Sequence, residues 1–192
     1  VFMFLGGVNF SLHFTALRQR KISTYWKDAE FQMFVGLILI SLALMSAVLI
    51  GAHWYGTSWD ALCQALFNLM SAITSTGFVS ANIQAWPIII PTVLLLVGLI
   101  GGCGASTSGG IKVIRVLLVL KQGMREFKKL LHPQSVISVK LGNQVISDEL
   151  LQGVWGFIAV LILLFVAFTI TLTATGVNFS ATVALFVCGF SN

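Results

Sequence analysis

Thr74-Ser75-Thr76-Gly77-Phe78 combines the residue types that can present main-chain oxygens to a cation. Small hydroxyl residues followed by Gly leave the helical conformation readily, and Gly reaches φ > 0 angles closed to other residues. The carbonyls of Thr74, Ser75, Thr76 and Gly77 can then converge on one point. Such carbonyls replace the water that an ion sheds inside a membrane, without binding so tightly that the ion cannot leave. Phe78 is expected to pack behind the segment and hold it. The same five residues also read as a helix C-cap and turn, because Gly commonly ends helices. The flanking elements decide between the two.

Before the segment lies a short amphipathic helix, residues 58–73, opened by Thr57-Ser58-Trp59-Asp60, a hydroxyl three residues ahead of an acid as in a capping box. Its apolar part, Ala61 to Ile73, is about 20 Å long at ~1.5 Å per residue and cannot cross a hydrocarbon core of ~30 Å. Its carboxyl end, carrying the negative end of the helix dipole, points toward Thr74. Residues 31–53 form an apolar helix long enough to span. Trp86-Pro87 announces another helix after the segment, since Pro suits a first turn and Trp an interface. A re-entrant loop between two spans is thus expected.

That second helix is interrupted. Its apolar run stops at Ile100, and Gly101-Gly102-Cys103-Gly104-Ala105-Ser106-Thr107-Ser108-Gly109-Gly110 follows before Ile111 to Leu120 resumes the pattern. Irregular backbone at membrane depth is tolerated only where protein buries it or a watery cavity adjoins it. Residues 87–131 are therefore expected to form a broken inner helix whose Gly-rich loop is a mobile constriction that opens and closes. Close packing of small residues is the alternative. Gly104 to Gly109 also fit the first six places of a phosphate-binding P-loop, but Gly110 stands where Lys is needed and no strand precedes it.

The composition makes a membrane the solvent: 57% hydrophobic and 9% charged residues, with a mean hydropathy of +0.97, leave too little polar surface to cover a soluble globule. All 11 Lys and Arg fall between Arg18 and Lys27 or between Lys112 and Lys140, which places both clusters on the cytoplasmic side. Topology thus accounts for the net charge of +5, and nucleic-acid binding is not expected. Membrane lipids are. Cys63, Cys103 and Cys188 lack paired spacing, and His13, His53 and His132 lie far apart, so neither disulfides nor a metal cluster is indicated. Asp60 needs no role beyond its cap, with attraction of cations at an outer mouth as the alternative. Lys112 and Arg115 read as anchors at the inner end of the broken helix, or as contacts to headgroups or a cytoplasmic subunit.

Span, turn Gly and a short helix containing Ala-Leu-Phe occur twice, at Gly56 with Ala65-Leu66-Phe67 and at Gly176 with Ala184-Leu185-Phe186, and Gly6-Gly7 echoes Gly101-Gly102. The fold class expected is an all-α integral membrane protein of repeated helix, re-entrant pore helix with filter loop, and helix units. Residues 1–27 hold the end of one inner helix, arriving as a single helix from Val1 to Leu17, and a cytoplasmic linker. One complete repeat covers 28–132, a linker covers 133–149, and 150–192 begin the next repeat with an outer helix 150–173 and a pore helix 179–191. With no initiator Met, the chain is expected to start within a longer protein.

Phe67 to Phe78 followed by Gly101 to Lys112 resembles the bacterial TrkH-type potassium-uptake family, within the Trk/Ktr/HKT superfamily. The resemblance covers essentially the whole chain. It implies four non-identical units around one pore, Thr74 to Phe78 as the third filter strand with Gly77 as its key Gly, and Gly101 to Gly110 as the gating loop. It also implies a potassium ion held by the carbonyls of Thr74, Ser75, Thr76 and Gly77, with no covalent cofactor. Asn192 would begin the fourth strand. A nucleotide-binding TrkA-type cytoplasmic subunit, a homodimeric full-length form and a bacterial inner-membrane location follow from the resemblance alone. A secondary transporter with discontinuous helices also explains the interruption but gives no reason for repeated pore helices. An enzyme would need His, Asp or Glu clustered at one depth, which the apolar stretches lack.

Overall fold

The computed structural model describes residues 1–131, 139–142 and 144–191. Among these, helices dominate: α1 (Phe2–Gly7), α2 (Phe10–Gln19), α3 (Ser23–Lys27), α4 (Ala29–Gly51), α5 (Ser58–Ile73), α6 (Ile89–Ile100), α7 (Val113–Leu131), α8 (Asp148–Ala174) and α9 (Phe179–Ser191). A 3-10 turn, Ile83–Ala85, precedes α6. A short antiparallel hairpin pairs Lys140 with Val145 and Leu141 with Gln144, inside the stretch expected to be a plain linker.

α4 and α8 are the two described helices long and apolar enough to cross a membrane. Each starts on a side-chain cap. Asp28 accepts the Phe31 N–H at 2.8 Å, and Ser147 accepts that of Leu150. α5 has 16 residues, about 24 Å of helix, and stops short of a span. Its Thr57 hydroxyl accepts the Asp60 N–H at 3.1 Å and donates to the Asp60 carboxylate at 2.6 Å. Asp60 is thus engaged in its own cap.

α4, α5 and α6 meet in a core centred on Phe34, Met45, Leu49, Leu69, Ile73 and Ile90, each fully buried. Lipid tails are as apolar as these side chains, so close packing holds them together more than escape from water does. α7 lies against α4 and α8, and α9 against α6 and α8. Phe186 of α9 stacks edge-on against Phe165 of α8 with centroids 5.0 Å apart. The far side of α8 exposes Ile162, Leu163, Val166 and Ile170, a surface suited to lipid.

Residues 1–17 depart from expectation. The helix breaks after Gly7, where Val8 is extended (φ −87, ψ 152), and Asn9 recaps α2 through the Ser11 N–H at 2.9 Å. The cause is tertiary: the main-chain groups freed at the break bond to another segment, the Gly-rich loop.

Candidate functional site

α5 ends in a complete cap before Gly77 is reached. Thr76 N–H donates to the Ser71 carbonyl at 3.1 Å and Ser75 N–H to that of Ala72 at 3.3 Å, the paired bonds of a Schellman motif. Ser75 takes the left-handed position (φ 56) that Gly usually fills. The Thr74 hydroxyl donates to the Met70 carbonyl at 2.6 Å, and Thr74 is buried. Gly77 therefore has no capping task, yet it adopts φ +73 with nothing within 4 Å of where a Cβ would sit. Its need for Gly is conformational.

Thr76, Gly77 and Phe78 are exposed along a cavity of about 490 Å³ that Leu94 of α6 and Val187 and Ser191 of α9 also line. Phe78 does not pack behind the segment; it is 64% exposed. Polar groups do that work. Asn68, 2% exposed on the buried face of α5, donates to the Ser80 hydroxyl at 2.9 Å and accepts the Ser80 N–H at 3.3 Å. Ser80 in turn donates to Gln64 Oε1. Thr76 Oγ1 lies 3.3 Å from the hydroxyls of both Ser71 and Thr74. The segment is thus tied back to α5 on either side of Gly77. Asn68 was legible as the polar intruder among Ala61, Ala65 and Leu69 on one helix face, but its partner Ser80 carried no such signal.

The Gly-rich loop is an excursion with its ends joined. Ile111 N–H donates to the Leu99 carbonyl at 2.9 Å, Lys112 N–H to Ile100 at 2.8 Å and Val113 N–H to Gly102 at 2.9 Å. Residues 103–110 lie outside this stitched ladder. They are ordered by specific bonds: the Cys103 N–H reaches the Gly7 carbonyl at 2.9 Å, Thr107 N–H reaches Gly6 at 3.2 Å, and the Ala105 carbonyl accepts Phe10 N–H at 3.2 Å. Gly104 N–H donates to the Glu30 carboxylate. Inside the loop, Ser108 Oγ accepts the Gly102 N–H at 3.0 Å and pairs with Ser106 Oγ at 2.7 Å. Gly102 and Gly109 are among the loop glycines dictated by close approach more than by mobility. A Cβ on Gly102 would collide with the Ser108 hydroxyl and the Gly7 carbonyl, and one on Gly109 with the Ser191 backbone.

Lys112 and Arg115 face inward. The Lys112 ammonium donates to the carbonyls of Ser106 and Ser108, and the Arg115 guanidinium sits 4.1 Å from the Phe157 ring centre. The segment after α5 and the loop meet directly, since the Gly109 N–H donates to Ser75 Oγ at 3.3 Å. Asn192 lies outside the described residues. Sequence reasoning assigned no role to Glu30, Asn68 or Ser80.

The chain as a whole is similar to known proteins in sequence and fold. Residues 1–190 match the family model described as "TrkH: Cation transport protein". The Trk system potassium uptake protein TrkH of Salmonella typhimurium is 42% identical over 182 residues, covering 94% of this chain and 38% of that protein. The TrkG protein of Escherichia coli is 28% identical across 100% of the chain and 39% of its own length. The crystal structure of the potassium transporter TrkH from Vibrio parahaemolyticus superposes with a TM-score of 0.89 at 37% identity, over 100% of this chain and 43% of that one. The chain spans well under half the length of these relatives. By sequence and by fold, the chain belongs to the TrkH family of cation transport proteins, multi-pass proteins of the membrane.

Proposed function

We propose that this chain forms part of a potassium-uptake pathway, in which Thr74, Ser75, Thr76, Gly77 and Phe78 are one strand of a carbonyl-lined filter. Gly101 to Gly110 are the gating loop beneath it. The observation that carries this reading is the cap of α5: Ser75 closes the helix, so the left-handed Gly77 beyond it serves the exposed segment itself. The segment borders a cavity at the carboxyl end of α5, where the helix dipole favours a cation. Carbonyls of Thr74 to Gly77 would supply oxygens in place of water, and potassium is cargo at this site, not a resident cofactor.

In the same reading the chain supplies the end of the second, the whole third and the start of the fourth of four pore units, and Asn192 opens the fourth filter strand. A full-length protein would act in the bacterial inner membrane as a homodimer with a TrkA-type cytoplasmic subunit. Fluxes of potassium, rubidium and sodium through the full-length protein in liposomes test it. Potassium and rubidium are expected to pass well ahead of sodium, and shortening the 103–110 stretch is expected to raise flux. Equal sodium and potassium flux refutes the filter, and unchanged flux on shortening refutes the gate.

A further inference from the structure

Glu30 stands in the first turn of α4 and is only 6% exposed. Burying a carboxylate is costly unless groups that favour its charge surround it. The amino end of α4 supplies part of that through its dipole. It leaves the carboxylate no capping task, because Asp28 already caps the helix. The remaining partners come from other segments: Gly104 N–H donates to Glu30 Oε1, and the Asn9 side chain and Ile114 N–H lie beside it. Glu30 therefore bonds to the Gly-rich loop and stands beside the α1–α2 break and the start of α7.

The loop is held unevenly. Residues 103–107 bond to main-chain groups of Gly6, Gly7 and Phe10, and among the described residues two side chains from outside the loop reach this stretch: Glu30 on the Gly104 N–H and Lys112 on the Ser106 carbonyl. Ser108 is held within the loop by Gly102, Ser106 and Lys112, and Gly109 meets the proposed filter segment through the 3.3 Å bond to Ser75. We infer that Glu30 is a positioning residue for the loop, pinning Gly104 so that 103–107 stay fixed to α4. The inference rests on the loop being a gate.

Cys103, adjacent to Gly104 and 1% exposed, gives a readout independent of transport. In the full-length protein with Cys63, Cys188 and any further cysteines replaced by serine, a maleimide reports how often the pinned stretch opens. Glu30→Ala removes a hydrogen bond to a charged group and is expected to speed labelling of Cys103 by about tenfold. Rubidium flux should rise several-fold, with the rubidium-to-sodium ratio unchanged. Glu30→Gln keeps an acceptor oxygen and is expected to stay within about threefold of the parent in both measurements. Parental labelling in a well-assembled Glu30→Ala protein overturns the inference, and so does Glu30→Gln behaving like Glu30→Ala. Faster labelling with unchanged flux supports the pin and removes the gating role of the loop. Should Glu30→Ala fail to assemble, Glu30→Asp, one methylene shorter, takes its place: faster labelling supports the pin and parental labelling overturns it.

Discussion

The Gly109 amide donates a 3.3 Å hydrogen bond to the Ser75 hydroxyl, so the segment that closes α5 and the loop that interrupts the next helix touch through one polar contact. Ser75 holds a left-handed backbone to complete the α5 cap while its side chain serves the loop. One residue thereby couples the geometry of the proposed filter to that of the proposed gate.

Replacing Ser75 by Ala keeps the main-chain carbonyl and deletes the contact. A neutral hydrogen bond is worth about 0.5–1.5 kcal/mol, so freeing the loop is expected to raise rubidium flux about two- to tenfold. The preference for potassium over sodium should persist. Flux at or below the parental level in a well-expressed Ser75→Ala protein counts against coupling through this bond.

Gly77→Val separates conformation from packing. No atom lies within 4 Å of the position of its Cβ, so the penalty is the left-handed backbone, about 1–2 kcal/mol and larger for a β-branched residue. The segment is expected to relax out of that conformation, abolishing uptake or its preference for potassium while the midpoint of thermal unfolding moves only a few degrees. Intact preference in the variant would argue that the Gly77 carbonyl faces no ion.

Gly98 and Gly102 make a matched pair. A Cβ on Gly98 would sit at an ordinary 3.4 Å from the Ala72 carbonyl oxygen, whereas one on Gly102 would be 2.8 Å from the Gly7 carbonyl oxygen and closer still to Ser108. Gly102→Ala is expected to cost about 1–3 kcal/mol and displace the loop, whereas Gly98→Ala should cost well under 1 kcal/mol. Unfolding midpoints and rubidium flux of the two proteins, measured side by side, check this.

Asn68→Leu keeps bulk and removes both bonds to Ser80. Ser80 is itself exposed, so water takes up its freed amide and hydroxyl, and a loss of about 0.5–1.5 kcal/mol is expected, falling on the stretch just past Gly77. Sodium permeation should rise relative to potassium, and Ser80→Ala should move the ratio in the same direction by less. Competition fluxes resolve the difference.

The spans and the short helices were open to sequence reasoning because each carries its own signal. α5 has a hydroxyl cap and one apolar face, and α8 a long apolar run behind Ser147. What lay hidden depends on contacts distant in sequence. The break at Val8 arises because its freed amides and carbonyls pair with residues about a hundred positions away. Glu30, next to Asp28 and the basic cluster, has the look of a solvated charge until Gly104 is brought to it. Glycines at 102 and 109 suggested mobility; contact with Gly7, Ser108 and Ser191 is what requires them. Phe78, large and apolar, seemed the natural support for its segment, but the amide of Asn68 answers the polar groups there and an aromatic ring cannot.

The stitching of Ile111 to Leu99 and of Lys112 to Ile100 has a mechanical consequence. In an uninterrupted helix those carbonyls would accept from positions 103 and 104, so residues 103–110 behave as a closed side-branch on a continuous strut. A pull along α7 would pass into α6 through the strut. The branch feels it through the Lys112 ammonium, clasped to the Ser106 and Ser108 carbonyls, as a tendon works a flap without bending the bone beneath it.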